Sequence, residues 1–260
     1  MSKMALETFA SQYARHRAKE GRGYSGETLL ALPYIRRGPH AAQWAVRART
    51  FEAFMASVLR PSAARLGRFL EVLDLGAGNG WLSYRITLDG HRAIALDIRD
   101  DSVDGLGAAG PFLNRAPNME CIVAPFDAVP LPAASVDIAL FNASIHYSTD
   151  LSLVLREARR LTRRGGQIVI LDSPFYARET DGLAMVAQKR ERFGPAADVL
   201  MALPFIEFLT QERLRQAAPE LEWKRHKVRY PLGYELRPWI AAFRRKRQPS
   251  RFDLWAAQMP

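Results

Sequence analysis

The chain has one cysteine in 260 residues, Cys121, so it forms no internal disulfide. That residue sits in an apolar run at 119–124, where a small core side chain is its ordinary reading. The chain gives no evidence of an oxidising compartment. No apolar run approaches the ~18–20 residues that span a bilayer, so no integral membrane segment is expected. The first twenty residues lack the apolar centre of a secretory leader, because Glu7, Arg15, Arg17, Lys19 and Glu20 interrupt them. These absences predict a cytoplasmic protein. The five histidines (His16, His40, His91, His146 and His226) share no metal-ligand spacing, and no metal is expected. Internal repeats and low-complexity tracts are absent too.

What is present is an ordinary globular composition, 48% hydrophobic and 25% charged, long enough to bury a full core. The formal net charge is +10, and much of it is local. Between Glu222 and Arg251 there are ten lysines and arginines against two glutamates, a net of +8. The charge therefore belongs to a C-terminal surface and not to the whole fold. Within it, Leu236, Trp239, Ile240 and Phe243 share one helical face that ends in Arg244, Arg245, Lys246 and Arg247. Such a segment reads as a surface helix docked on a sheet. The other reading is a basic rim for an anionic substrate, RNA or lipid headgroups.

Residues 5–17 read as a helix, and the glycine-rich stretch at 21–26 ends it. Tyr13 and Tyr24 flank that stretch and read as aromatic packing. A second helix is expected at 40–60, with Trp44, Phe51, Phe54, Met55 and Val58 on its apolar side. Pro61 marks its end or a fresh start. From residue 69 strands alternate with helices. Strands are expected at 71–75, 92–97, 119–124, 136–142 and 167–172, and helices at 79–88, 102–113 and 151–161. That alternation implies a parallel sheet covered on both faces. Beyond Asp172 the regularity breaks into a segment rich in proline, methionine and aromatics, including Pro195 and Met201. A further helix is expected at 211–217, and strands at 221–230 and 251–257.

The run from Leu73 to Trp81 carries Asp74, Gly76, Gly78 and Gly80 between the first strand and the next helix. A helix N-terminus offers unpaired N–H groups, and glycines allow close approach of a ligand. A dinucleotide site places its third glycine three residues after the second, where this chain has Trp81. Here the glycine falls at 80, and Asp74 precedes the turn. A carboxylate there suits an ammonium group better than a pyrophosphate.

This D-x-G-x-G-x-G pattern resembles the first motif of the class I S-adenosylmethionine-dependent methyltransferases, in particular the type 11-like small-molecule group. Asp97, Phe126-Asp127, the run from Asp137 to Tyr147 and the helix-turn-strand from Leu155 to Ile170 resemble the later motifs in order. The resemblance covers residues 69–172. It implies an α/β, doubly wound, mostly parallel seven-stranded sheet (the Rossmann-like methyltransferase fold) in the order 3-2-1-4-5-7-6, with the seventh strand antiparallel. It further implies one methyltransferase domain: an N-terminal helical cap at 1–68, a cofactor-binding core at 69–172, a helical substrate lid at 173–220, and C-terminal strands with a basic helix at 221–260.

The implied cofactor is S-adenosyl-L-methionine, held by Asp74, Gly76, Ala77, Gly78, Gly80, Asp97, Ile98, Phe126, Asp127 and Asn142. Asp97 would accept from both ribose hydroxyls, and Phe126 with Asp127 would contact adenine. His146 and Tyr147 follow the fourth strand and are the candidate catalytic residues. His146 has two readings, a general base or a structural histidine. The apolar insert points to a small organic acceptor. Neither the segment at 142–145 nor Pro174-Phe175 matches the Asn/Asp-Pro-Pro-Tyr/Phe signature of amino methylation on nucleic acid. An RNA-directed enzyme using the basic face, or a non-catalytic cofactor-binding regulator, are the alternatives.

Overall fold

The apolar runs of the sequence become the centre of a single sheet. A computed structural model describes residues 3–193 and 203–260. Seven strands, β1 (Glu71–Leu75), β2 (Arg92–Asp97), β3 (Met119–Val123), β4 (Val136–Asn142), β5 (Thr162–Leu171), β6 (Trp223–His226) and β7 (Leu254–Gln258), lie in the order β3-β2-β1-β4-β5-β7-β6. Strands β1 to β5 pair in parallel, whereas β7 runs antiparallel to both β5 and β6. This is the order and direction that the resemblance implied.

Side chains alternate across a strand, so each central strand feeds two cores. Val72, Ala93, Ile138, Val169 and Ala256 face one cluster. Leu73, Ile94, Ala139, Ile168 and Trp255 face the other. The first core is covered by N-terminal helices and α5 (Trp81–Leu88), the second by α7 (Leu151–Leu161). Asp150 caps α7, its side chain accepting from the Leu153 N–H at 2.9 Å. Strand β5 starts five residues earlier than expected, because Thr162 pairs with Val136 before an irregularity shifts the register.

The N-terminal region comprises α1 (Lys3–Lys19), α2 (Gly26–Ala31), α3 (Ala41–Phe54) and α4 (Arg60–Leu66). Pro61 marks a fresh helix start, one of its two expected roles. A π-helical turn, Met55–Leu59, lies ahead of it, and Pro61 occupies the first turn of α4. Proline has no N–H to donate, and an early position in a helical segment removes that demand.

Between β2 and β3 the expected helix is broken up. Asp101 Oδ1 accepts from the Val103 and Asp104 N–H groups, making a turn. Only a 3₁₀ turn, Leu106–Ala109, and the single turn α6 (Gly110–Leu113) follow. Gly105, Gly107, Gly110 and Pro111 interrupt anything longer.

Residues 173–220 contain α8 (Glu179–Phe193), an irregular stretch at 203–210 and α9 (Gln211–Ala217). Pro195 and Met201 lie outside the described residues. Strand β6 is shorter than expected, because Val228 and Tyr230 leave the sheet to enter the core. Arg251 bridges to Phe175 instead of opening β7.

One packing expectation fails. The short helices α10 (Leu232–Glu235) and α11 (Arg237–Phe243) do not dock an apolar face on the sheet. Leu236 is 41% exposed, Ile240 46%, Trp239 76% and Phe243 90%. The segment is held by its polar groups instead. Arg237 donates to the Ser250 carbonyl at 2.8 Å, and Arg251 pairs with Glu235 at 3.1 Å. Those anchors leave the apolar stripe facing out. Among the described residues no helix is long and apolar enough to cross a membrane.

Candidate functional site

The sheet order reverses between β1 and β4, and a cavity of about 360 Å³ opens at the carboxyl ends of these strands. The glycine turn forms its floor. The Gly76 and Ala77 N–H groups both donate to the Leu96 carbonyl, at 2.7 and 2.9 Å, which folds the turn back over β2. Gly76 has φ +80°, and a Cβ there would come within 2.4 Å of the Ser144 Cβ, so only glycine fits. Gly80 is the left-handed residue at the start of α5, with φ +78°. A Cβ on it would lie 2.7 Å from the Met119 Cε. Trp81, the next residue, packs edge-on to Trp44 and Phe51. The glycine at 80 thus starts the helix, and the tryptophan ties it to the N-terminal region.

Asp97 ends β2 with its carboxylate at the cavity wall. Its Oδ2 accepts from the Gly78 N–H at 2.7 Å and its Oδ1 from the Arg99 N–H at 2.9 Å. Burial pushes this carboxyl up, while Arg99 and the two N–H groups oppose the shift. Gly76, Ala77, Gly78, Asp97, Ile98, Phe126, Asn142, His146 and Tyr147 all line the cavity. Asp127 lies beyond Phe126, in an adjoining recess of about 850 Å³ that shares Ile98, Phe126 and Tyr147. Gly80 stands behind the turn.

Asp74 departs from its expected place. It is fully buried beneath the turn and does not line the cavity. Its Oδ2 accepts from the Ser83 hydroxyl at 3.0 Å, and its Oδ1 has no hydrogen-bond partner among the described residues. Burial pushes the carboxyl up to about 7. A direct contact with a ligand's ammonium group does not fit this position, because the strand end turns the side chain inward under the glycines.

The roof comes from α1. Phe9, Tyr13 and Arg17 line the cavity, and Arg17 Nε donates to Asp104 Oδ2 at 2.6 Å. Asn79 donates to the other Asp104 oxygen at 3.3 Å, so one carboxylate joins α1 to the glycine turn. Tyr13 is therefore more than packing, and its hydroxyl lies 3.0 Å from that of Tyr147. Tyr24 is packing as expected: its hydroxyl accepts from the Trp44 indole N–H at 2.7 Å.

His146 and Tyr147 share a 3₁₀ turn after β4. His146 Nδ1 lies 3.3 Å from Ser173 Oγ. Burial, with Lys189 and Arg47 nearby, holds its conjugate acid down to about 3, so the ring is neutral at ordinary pH. Burial and the Tyr13 hydroxyl push the Tyr147 phenol well above its usual value. Neither is poised to take a proton at pH 7.

Two further residues complete this end of the cavity. Arg47 projects from α3, 4.9 Å from the Trp44 ring centre, with no hydrogen bond or ion pair among the described residues. Burial lowers its pKa and Asp172 opposes that change. Asp172 is buried at the end of β5, where Oδ1 accepts from Thr50 at 2.8 Å and Oδ2 has no hydrogen-bond partner among the described residues. Asp172 and Ala143, at the ends of β5 and β4, both hold positive φ, +50° and +55°. Strain of this kind concentrates at ligand sites. Arg47 had a legible signal: it interrupts the apolar face of its helix three residues after Trp44 and four before Phe51. Asp172 had none beyond its place at a strand end.

Residues 73–170 match a family model described as a methyltransferase domain. A malonyl-[acyl-carrier protein] O-methyltransferase of Erwinia pyrifoliae is 32% identical over 148 residues, 55% of this chain and 52% of that protein. Its counterpart in Yersinia pestis is 34% identical over 122 residues, covering 45% and 41%. The chain thus spans about half the length of the curated relatives it matches. Among solved structures, a geranyl diphosphate methyltransferase in complex with GPP and sinefungin superposes with a TM-score of 0.62, at 16% identity over 99% of this chain and 100% of that one. The geranyl diphosphate C-methyltransferase of Streptomyces coelicolor A3(2) gives 0.59, also at 16% identity, over 95% and 98%. At that identity the likeness is one of fold. With the strand order, the glycine turn and the matched residues together, the core of this chain at 73–170 belongs to the class I S-adenosylmethionine-dependent methyltransferases.

Proposed function

We propose that the chain transfers a methyl group from S-adenosylmethionine to a carboxylate oxygen of a small acceptor. One observation carries the choice of acceptor. The acceptor end of the cavity presents an unpaired guanidinium, Arg47, beside a histidine and a tyrosine that are poor bases. A hydroxyl or carbon acid needs a proton removed. A carboxylate is already ionised at neutral pH and needs only desolvation and orientation. The malonyl-[acyl-carrier protein] O-methyltransferases among the relatives agree with a carboxylate acceptor.

The residues present fit the cofactor. The crowded Gly76 keeps a side chain out of the cradle, and Asp97 keeps lone pairs free for a vicinal diol. Phe126 and Asp127 would take the base. The unpartnered Asn142 Oδ1 would accept from the amino-acid end. When bound, the cofactor supplies a sulfonium methyl that is already electrophilic. Arg47 then holds the acceptor carboxylate with its planar fork of donors. The lid comprises α1 and the 203–209 stretch. Phe9 meets Phe205 edge-on at 4.7 Å, and the Ile206 and Glu207 N–H groups donate to the Ser148 and His146 carbonyls. It excludes water from the reacting groups.

A second reading rests on Asp172, whose free oxygen could take the proton of a hydroxyl acceptor. Labelled cofactor with a panel of carboxylic acids and alcohols separates the two. Base-labile label released as methanol marks an ester, and Asp172→Asn spares ester formation but abolishes ether formation. Arg47→Gln is expected to raise the acceptor KM by roughly 10- to 100-fold, the value of one lost charged hydrogen bond at ~1.5–3 kcal/mol. S-adenosylhomocysteine affinity should stay within a few-fold. An unchanged KM removes Arg47 from the acceptor site. The cavity and the relatives lend no support to the RNA-directed or regulatory alternatives.

A further inference from the structure

Beyond His146 and Tyr147 lies a separate recess of about 350 Å³ that shares those two residues and Pro174 with the central cavity. Lys189, Arg237 and Arg247 line it, against one carboxylate, Glu207. Lys189 Nζ donates to Glu207 Oε2 at 2.7 Å, so that pair is internally neutral. The two guanidiniums are not neutralised: neither forms an ion pair among the described residues. Arg237 Nη2 donates to the Ser250 carbonyl at 2.8 Å, the guanidinium lies 3.7 Å from the Tyr234 ring centre, and its buried Nε has no acceptor. Arg247 Nε donates to the Gln188 side chain at 2.8 Å, and Nη1 lies 3.3 Å from the Tyr176 hydroxyl.

Neutral acceptors and rings therefore fix both forks in place, and Asp181, the carboxylate that feels the Arg247 charge, is already ion-paired with Arg178, so a net positive charge of two remains. Fixed guanidiniums are the side chains best matched to the oxygens of a phosphate. A charge of two matches a phosphate monoester or diphosphate better than a single carboxylate does. We infer that this vestibule binds a phosphate or diphosphate group carried at the far end of the methyl acceptor. The inference rests on the reading of the central cavity as the transfer site, because the two recesses share a wall. The acceptor would then be held at two points: its reacting end at Arg47, its phosphorylated end at Arg237 and Arg247. That arrangement puts binding energy from a remote group into positioning the reacting one.

The test is calorimetry on the full chain saturated with S-adenosylhomocysteine, titrated with pyrophosphate at fixed ionic strength. Saturable 1:1 binding is expected. The Arg237→Gln/Arg247→Gln pair should weaken it tenfold or more. The Arg244→Gln/Arg245→Gln pair, on the same segment but outside the recess, should leave it within about twofold. No saturable binding, or equal losses in both pairs, overturns the inference, the second outcome showing general attraction to a basic surface. S-adenosylhomocysteine affinity, measured on the same samples, should be equal in all of them. If the unmodified chain does not bind it, the methyl-transfer reading fails instead, and the two failures are told apart.

Discussion

Asp97→Ala is expected to weaken S-adenosylhomocysteine binding by roughly a hundredfold or more. Each Asp97 oxygen already accepts one backbone N–H, from Gly78 and from Arg99. A carboxylate offers about four lone-pair sites, so one remains on each oxygen, spaced for the two hydroxyls of a ribose. Two hydrogen bonds to a charged acceptor contribute ~1.5–3 kcal/mol each, and ~1.4 kcal/mol is tenfold in affinity. The loss therefore starts near 3 kcal/mol. Alanine also leaves the Gly78 N–H without its acceptor, which loosens the turn that would face the methionine end. Asp97→Asn keeps one acceptor oxygen and should fall between the two. Calorimetry gives the affinities, and thermal melts establish that both variants fold. A folded alanine variant with unchanged affinity would remove the ribose role from Asp97.

Much of the fold was legible because its signals are local. The strands at 71–75, 92–97 and 136–142 are apolar runs bounded by polar or turn residues, and these ranges coincide with the observed ones. A buried strand must be apolar on both faces, so burial writes itself into every position. The 102–113 segment and the C-terminal helices were less legible. The first depended on an aspartate side chain capturing backbone N–H groups, a contest that propensity does not decide. In the second, the apolar stripe from Leu236 to Phe243 has the spacing of a docked face. The polar anchors at Arg237 and Arg251 hold it off the sheet, and the distance from those anchors to their partners is tertiary information.

The site divides in the same way. Gly76, Gly78 and Asp97 sit in one turn and one strand end, and a spacing pattern can find them. Tyr13, Arg17 and Arg47 come from helices far away in the chain: the packing of Trp44 and Phe51 on Trp81 brings Arg47 over the cavity, and the Arg17–Asp104 pair brings α1. Nothing in the neighbourhoods of Tyr13 and Arg17 states what they face, and Arg47 shows only as a break in an apolar helix face. Asp74 shows the converse. Its place ahead of the glycines suggested a ligand contact, and alternation along β1 directs its side chain into the protein instead.

That buried carboxylate gives the fold a pH dependence of its own. In the unfolded chain Asp74 titrates near 3.8, and in the folded protein near 7. Between those values the native state holds more protons than the unfolded state, so stability falls as pH rises through this window and levels off above it. An asparagine side chain cannot titrate. Asp74→Asn should therefore match the parent closely at pH 4 and become progressively more stable than it as pH approaches 8, with the amide oxygen still able to accept from Ser83. The difference between the folded and unfolded values corresponds to about 4 kcal/mol at most, and relaxation around the charge makes ~2–4 kcal/mol the expected range. For a chain of this size that is a Tm gap of roughly 5–15 °C at pH 8. Melting curves of both proteins from pH 4 to 8, taken without cofactor, measure it. A Tm gap that does not change with pH would show that Asp74 titrates alike in the folded and unfolded chain, and would overturn the raised folded-state value.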